Sequence, residues 1–217
     1  MDHVAARYTM IQNQIRTNRV TDPRIIAAMS ELPRERFAPD WARGIAYIDQ
    51  DIPLNAGRYL IEPLTSALLL QAAEIAADDV VLDVGCGTGY TSAISARMAS
   101  AVVALESDSE LAARAGATLA ELGIETATIV VGPLREGWPA QAPYDVIVFS
   151  GAVSAVPRRI VEQLAQGGRM VVVIVGDKGT GCGTLLLRQG GSVSRRPIFD
   201  AAIPVLPEFA LEPTFRF

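Results

Sequence analysis

Histidine and cysteine are scarce in this 217-residue chain, which carries one His and two Cys. A histidine-based catalytic triad has only His3 to draw on, near a terminus, and no set of His, Cys and acids has metal-ligand spacing, so no metal site is expected. Cys86 and Cys182 lie far apart, which reads as reduced thiols in a cytoplasmic protein rather than a disulfide framework. No apolar run approaches the roughly 18 residues of a membrane span. The start, Met1-Asp2-His3-Val4, has an early acid and no apolar signal core, so no secreted form and no membrane partner are expected. Basic surface is short as well: the net charge of -5 argues against broad nucleic-acid binding. What is present is apolar material, half of all residues against 20% charged, enough for one well-packed domain.

The most informative stretch is Val80-Val81-Leu82-Asp83-Val84-Gly85-Cys86-Gly87-Thr88-Gly89-Tyr90. It reads as a buried strand entering a glycine turn. A second apolar run, Ala101-Val102-Val103-Ala104-Leu105, follows one helix later and ends in Glu106. Glycines let the backbone approach a ligand, and a helix starting at the turn aims N–H groups at it. A carboxylate ending the next strand accepts both hydroxyls of a ribose, as in dinucleotide folds. A nicotinamide fingerprint wants a third glycine at position 90, where Tyr90 stands. The pattern D-x-G-x-G-x-G is instead that of S-adenosylmethionine (SAM) methyltransferases. For Asp83 two readings stand: it orients the turn by accepting backbone N–H bonds, or it touches SAM. Cys86 reads as a small filler, because no nearby sequence feature depresses its pKa.

Around this motif the chain alternates strand and helix. Strands are expected near 80–84, 101–106, 127–131, 145–149 and 169–175, apolar on both faces as a covered parallel sheet requires. Helices are expected near 89–99, 109–122 and 157–166, with Gly123 and Gly167-Gly168 stopping the last two. Extended runs at 183–189 and 192–200 around Gly190-Gly191 suggest an antiparallel edge hairpin. Gly179-Thr180-Gly181-Cys182-Gly183 lacks the Lys-Ser/Thr ending of a phosphate loop and reads as an edge turn. Before the core, residues 3–18 and 23–32 have helical spacing, the second with Asp22 as N-cap and Pro23 at the first position. Residues 33–63 are irregular, a length that usually signals function, and a helix over 64–77 follows.

The chain resembles the protein-L-isoaspartate O-methyltransferase family over nearly its full length. The N-terminal block carries this most specifically: Met10-Ile11-Gln12-Asn13-Gln14-Ile15, then Val20-Thr21-Asp22-Pro23-Arg24-Ile25-Ile26-Ala27-Ala28-Met29, then Leu32-Pro33-Arg34-Glu35-Arg36-Phe37-Ala38-Pro39. Ala46-Tyr47-Ile48-Asp49-Gln50-Asp51-Ile52-Pro53-Leu54 and Gly137-Trp138-Pro139-Ala140-Gln141-Ala142-Pro143-Tyr144-Asp145 extend it. The resemblance implies an α/β, Rossmann-like class I methyltransferase sheet, mostly parallel with an antiparallel edge hairpin, preceded by N-terminal helices. It implies one domain over 1–217: helices and substrate loop to 63, a SAM-binding core over 64–176, and an antiparallel tail from 177. It further implies SAM as cofactor, held by Asp83, Gly85, Cys86, Gly87, Thr88, Gly89, Glu106, Ser107, Gly132, Pro133 and Leu134. The implied reaction is methylation of isoaspartyl carboxyls in damaged protein or peptide substrates; the alternatives are a diverged member that methylates another acceptor, small molecules included, and a SAM-binding protein without isoaspartyl repair activity.

Two departures stand out. Where the family has a G-Q-T-I-S-Q-P loop, this chain has Gly57-Arg58-Tyr59-Leu60-Ile61-Glu62-Pro63, with Tyr59 and Ile61 replacing the hydroxyl residues. Where the family has Gly-Asp reaching the adenine, this chain has Gly132-Pro133-Leu134, and one lost hydrogen bond costs on the order of 1 kcal/mol. Arg58, Tyr59 and Glu62 are thus the candidate catalytic residues: arginine for an anion, tyrosine as hydroxyl donor, glutamate as base or cation partner. The competing reading is that this loop simply packs, with Tyr59 and Ile61 in the core. Trp138 and Tyr90 fit the core better than an adenine-stacking role. The proline-containing tail over 204–217 either covers the active site or mediates pairing, and the sequence leaves oligomeric state open.

Overall fold

A computed structural model describes residues 2–176 and 180–211. The chain opens with α1 (His3–Met10), capped by the Asp2 carboxylate, which accepts the Val4 and Ala5 N–H groups. It runs on through a π-helical turn at Ile11–Ile15 and a 3-10 turn at Arg16–Asn18. Next comes α2 (Pro23–Glu31), with Asp22 as N-cap and Pro23 in the first turn, as its sequence predicts. The stretch expected to be irregular contains a small antiparallel ribbon, β1 (Ile52–Pro53) against β2 (Tyr59–Leu60). Helix α3 (Pro63–Ala73) then leads into the core.

The core alternates β3 (Val80–Val84), α4 (Tyr90–Ala96), β4 (Ala101–Glu106), α5 (Ser109–Glu121) and β5 (Ala127–Val131). It continues with β6 (Tyr144–Val153), α6 (Arg158–Val161), β7 (Leu164–Val175), β8 (Gly181–Gln189) and β9 (Ser192–Ala201). One sheet holds seven of these strands in the order β5-β4-β3-β6-β7-β8-β9. β3 to β7 are parallel, while β8 runs antiparallel to β7 and β9 antiparallel to β8. The α/β sheet with an antiparallel edge hairpin is therefore as the sequence implied. The strand order reverses at β3, so the crevice beyond the carboxyl ends of β3 and β4 is where a fold of this kind places its ligand.

Two elements differ from expectation. The helix over 157–166 is only the single turn α6, because Leu164 already pairs with Tyr144 as the start of β7. Gly167 and Gly168 consequently lie within β7, where the register slips between the Tyr144–Leu164 and Val146–Arg169 pairs, and they do not end a helix. Gln163 shows why the helix stops early: its side chain accepts the Trp138 N–H at 2.8 Å and donates to the Glu136 carbonyl at 2.7 Å. β6 is also longer than predicted, since Ala152 bonds the chain beyond β9, donating to Pro204 O and accepting from Leu206 N. Of the glycine-rich turn before β8, Gly179 lies outside the described residues, as does the tail from 212 onward.

Both faces of the central strands β3, β4, β6 and β7 are buried, but by different material, while β9 is mostly exposed. Alternate residues Val81, Val102, Val146 and Val171 face one core shared with the N-terminal helices, α3 and α4. Leu82, Val103, Ile147 and Met170 face the other, covered by α6, Leu134 and the C-terminal residues Leu206 and Phe209. The fully buried Arg34 joins the N-terminal block to the loop before α3. Its guanidinium donates to the Ala46 and Ile61 carbonyls at 2.7 Å each and lies over the Tyr90 ring, 4.7 Å from its centroid. Arg34→Met orphans both carbonyls, and each buried unsatisfied group costs about 1–3 kcal/mol. Denaturant unfolding of this variant should show a clearly lowered midpoint; an unchanged midpoint would show the two bonds to be dispensable.

Candidate functional site

The site is built on the turn between β3 and α4. Gly85 and Cys86 both donate their N–H groups to the Leu105 carbonyl, at 2.9 and 3.1 Å, which pins the turn to β4. Gly85 and Gly89 have φ of +76° and +90°, a region closed to most side chains, and Gly89 hands the chain directly to α4. Thr88 is buried beside them, and its hydroxyl has no protein partner among the described residues.

Glu106, at the end of β4, is fully buried. Its Oε2 accepts the Gly87 N–H at 2.9 Å, while Oε1 accepts those of Ser107 and Asp108 at 2.7 and 3.1 Å. One carboxylate thus ties the glycine turn to the start of α5. Asp83 is placed differently from the turn-orienting reading. Its described partners are two hydroxyls, Ser92 Oγ at 2.5 Å and Ser150 Oγ at 2.7 Å, so it braces α4 against β6. Burial pushes its carboxyl up to about 6; the two serine hydroxyls pull it down and the Glu106 charge adds to the rise. Burial likewise drives the Cys86 thiol well above its ordinary value, as suits a small filler.

The substrate-loop candidates separate. Arg58 closes the turn between β1 and β2, its N–H on the Asn55 carbonyl and its carbonyl on the Leu54 N–H. Its guanidinium meets Glu106 face on: Nε and Nη2 each lie 3.0 Å from Oε1, with Nε 3.3 Å from Oε2. Nη2 also donates to Ser107 Oγ at 2.8 Å, and Glu208 Oε1 lies 3.8 Å away. The acid proposed for a ribose and the arginine proposed for an anion are bound to each other. Tyr59 and Ile61 line a space of about 10 Å³ together with Cys86, Thr88, Tyr90 and Ser150. Glu62 stands apart at the head of α3, accepting from Thr65 Oγ1 at 2.5 Å while its N–H donates to Asp51. Trp138 packs on Gly132, where an added Cβ would lie 3.1 Å from the indole. Tyr90 is buried edge-on to Phe37. Both aromatics are core residues, as expected.

Two residues that sequence reasoning did not assign complete the site. Leu206 lies on the floor of the turn: a Cβ on Gly85 would come within 3.0 Å of it, and one on Gly151 within 2.7 Å. Glu208 Oε2 accepts the Leu134 N–H at 3.0 Å, just beyond the β5 end where Gly132 N–H bonds Glu106 O. Their sequence signal is slight, an apolar residue and an acid flanking Pro207. Among the described residues no group of His, Cys and acids could hold a metal ion, and no helix is long and apolar enough to cross a membrane.

A glycine turn after the first core strand and a buried acid closing the second, on this sheet, define a class I methyltransferase fold. The family model described as protein-L-isoaspartate(D-aspartate) O-methyltransferase matches residues 5–195. Protein-L-isoaspartate O-methyltransferase of Methanoculleus marisnigri is 34% identical over 204 residues, covering 94% of this chain and 92% of that one. That of Koribacter versatilis is 37% identical, covering 89% and 87%. A solved protein-L-isoaspartate O-methyltransferase superposes with a TM-score of 0.81 at 25% identity, over 92% of this chain and 65% of the other. A Plasmodium falciparum structure described as this enzyme in complex with S-adenosyl-L-homocysteine superposes at 0.79 with 19% identity, over 96% and 99%. The chain belongs to the protein-L-isoaspartate O-methyltransferase family.

In this arrangement the Arg58 guanidinium stands on the Glu106 carboxylate that would hold the ribose of SAM, the family's methyl donor. A carboxylate offers about four acceptor positions, and those of Glu106 are met by three backbone N–H groups and the Arg58 guanidinium. Leu206 and the Glu208 carboxylate fill the ground beside it.

Asp83 makes the site's pH behaviour testable. Its folded pKa of about 6 lies above the ordinary 3.8, so the folded state binds more protons between those values and stability falls as pH rises through them. Two units correspond to at most about 3 kcal/mol. Asp51, raised to about 6 chiefly by burial, acts in the same window, so the comparison must be with a single variant. Stability of Asp83→Asn relative to the parent should improve by about 2–3 kcal/mol between pH 4 and pH 7. Parallel stability curves for the two proteins would refute the shift.

Proposed function

We propose that this chain is a SAM-dependent methyltransferase that methylates the carboxyl of isoaspartyl residues in damaged proteins, acting in the cytoplasm as a single unit over its three segments 1–63, 64–176 and 177–217. The observation that carries the reading is the buried Glu106 at the end of β4, whose carboxylate faces the positive-φ glycine turn after β3 at the place where folds of this kind hold a nucleoside. The cofactor-binding set comprises Asp83 as a brace, the turn over Gly85–Gly89, Glu106 and Ser107 for the ribose, and the Gly132-Pro133-Leu134 backbone beyond β5. Among the substrate-loop residues, Tyr59 is the one that carries a hydroxyl, and it lines the same small space as Cys86 and Thr88. Glu62 stands at the head of α3, and Arg58, resting on Glu106 here, becomes available to an anion only when it leaves that carboxylate.

The deciding experiment is transfer of labelled methyl from SAM to an isoaspartyl peptide, with its aspartyl twin as control. Label on the isoaspartyl peptide alone is expected; none on either peptide, or equal label on both, refutes the substrate. The pair Tyr59→Thr and Ile61→Ser returns the family's two hydroxyls to the site. One hydrogen bond gained is worth roughly tenfold, so this variant should methylate the isoaspartyl peptide about tenfold faster. A lower rate would mean that Tyr59 itself is used.

A further inference from the structure

The polar groups that a nucleoside would meet at the end of β4 and β5 are answered here from within the chain. Glu106 is answered by the Arg58 guanidinium, and the Leu134 N–H by the Glu208 carboxylate. The glycine-lined floor between them carries the Leu206 side chain. Resting on the reading that the chain takes SAM, we propose that Arg58 and the segment 203–209 form a latch, an internal stand-in for the cofactor's adenosine that must withdraw before the cofactor enters.

The two halves of the latch come from opposite ends of the fold and touch at the site. Arg58 arrives on the β1–β2 turn and reaches past Glu106 to within 3.8 Å of Glu208. The segment 203–209 is laid along β6: Leu206 N–H donates to Ala152 O at 2.8 Å, and Ser154 N–H to Phe209 O at 3.3 Å. Phe209 packs edge-on to Phe149, with centroids 5.7 Å apart. Three backbone hydrogen bonds, two at Ala152 and one at Ser154, and the isolated bridge of Ala152 to Val205 join this segment to β6 and the residue after it, without the strand-length ladders that hold β3 to β9 together. Its withdrawal breaks these bonds and uncovers Leu206 and Phe209 but unravels no strand of the sheet, so the opening is a local one. Arg58 likewise sits in a short turn of a two-residue ribbon and not in the main sheet.

A latch of this kind acts on affinity through population. The apparent affinity for a ligand that needs the open form is the intrinsic affinity multiplied by the open fraction. Weakening either half should therefore tighten cofactor binding, the reverse of what loss of a ligand contact does. The test is calorimetric titration of S-adenosyl-L-homocysteine into the full chain, for the parent, Arg58→Ala and the double variant Leu206→Ala/Glu208→Ala. Each variant is expected to bind at least tenfold more tightly than the parent. The double variant leaves the Arg58–Glu106 pair in place, so it carries the test if Arg58→Ala fails to fold. Folded variants that bind no more tightly than a binding-competent parent overturn the latch and leave the methyltransferase reading standing. Folded variants that, like the parent, bind no S-adenosyl-L-homocysteine overturn both.

Discussion

Everything at the site depends on how one buried carboxylate is satisfied. A charge taken fully out of water is tolerated only when its lone pairs are met. For Glu106 the partners are the Gly87, Ser107 and Asp108 N–H groups and the Arg58 guanidinium. The first three hold the glycine turn, the end of β4 and the approach to α5 in one frame. The fourth reaches across from the β1–β2 turn and ties that turn to the core. A ribose diol and a guanidinium are both donors of two hydrogen bonds at this place, so the same carboxylate can be completed by either, but not by both.

That exclusivity connects the fold's asymmetry to its function. One sheet face is covered by the N-terminal helices, α3 and α4; the other has the single-turn α6 and borrows Leu206 and Phe209 from the segment after β9. The borrowed segment passes over the glycine turn because Ala152 of β6 and Ser154 just after it serve as anchors, with Gly151 as a place to approach closely. Cover for the second core and closure of the crevice are therefore one structural event. Asp83, held by Ser92 and Ser150 from the two flanking elements, keeps the floor of that crevice in register whichever occupant lies above it.

The sheet was legible in the sequence because apolar runs such as Val80–Val84 and Ala101–Glu106 are short, two-faced and punctuated by glycine. The capped α2 was legible from Asp22 and Pro23. The early end of α6 was not, because it is set by a non-local bond, Gln163 holding the Trp138 N–H. Glu106 was identified from its position after the second core strand, and Arg58 from its place in the altered loop. Their pairing was hidden because they are 48 residues apart and meet only through tertiary folding. Of the two readings of Asp83, the backbone one rests on the N–H groups that a glycine turn offers nearby; Ser92 and Ser150, the latter 67 residues on, take its oxygens instead. The tail's two readings, cover or pairing, could not be separated without knowing that β6 presents an open edge group at Ala152. Within the described part of the tail, Leu206 packs on Gly85 and Gly151 and Glu208 accepts the Leu134 N–H.

The central claim is that the cofactor and the segment 203–209 compete for one place. Amide hydrogen exchange of the full chain, with and without saturating S-adenosyl-L-homocysteine, addresses it directly through the Leu206 N–H that now bonds Ala152 O. The account predicts faster exchange at 203–209 in the presence of the ligand while the glycine turn becomes more protected. Equal or slower exchange at 203–209 with the ligand bound would contradict it.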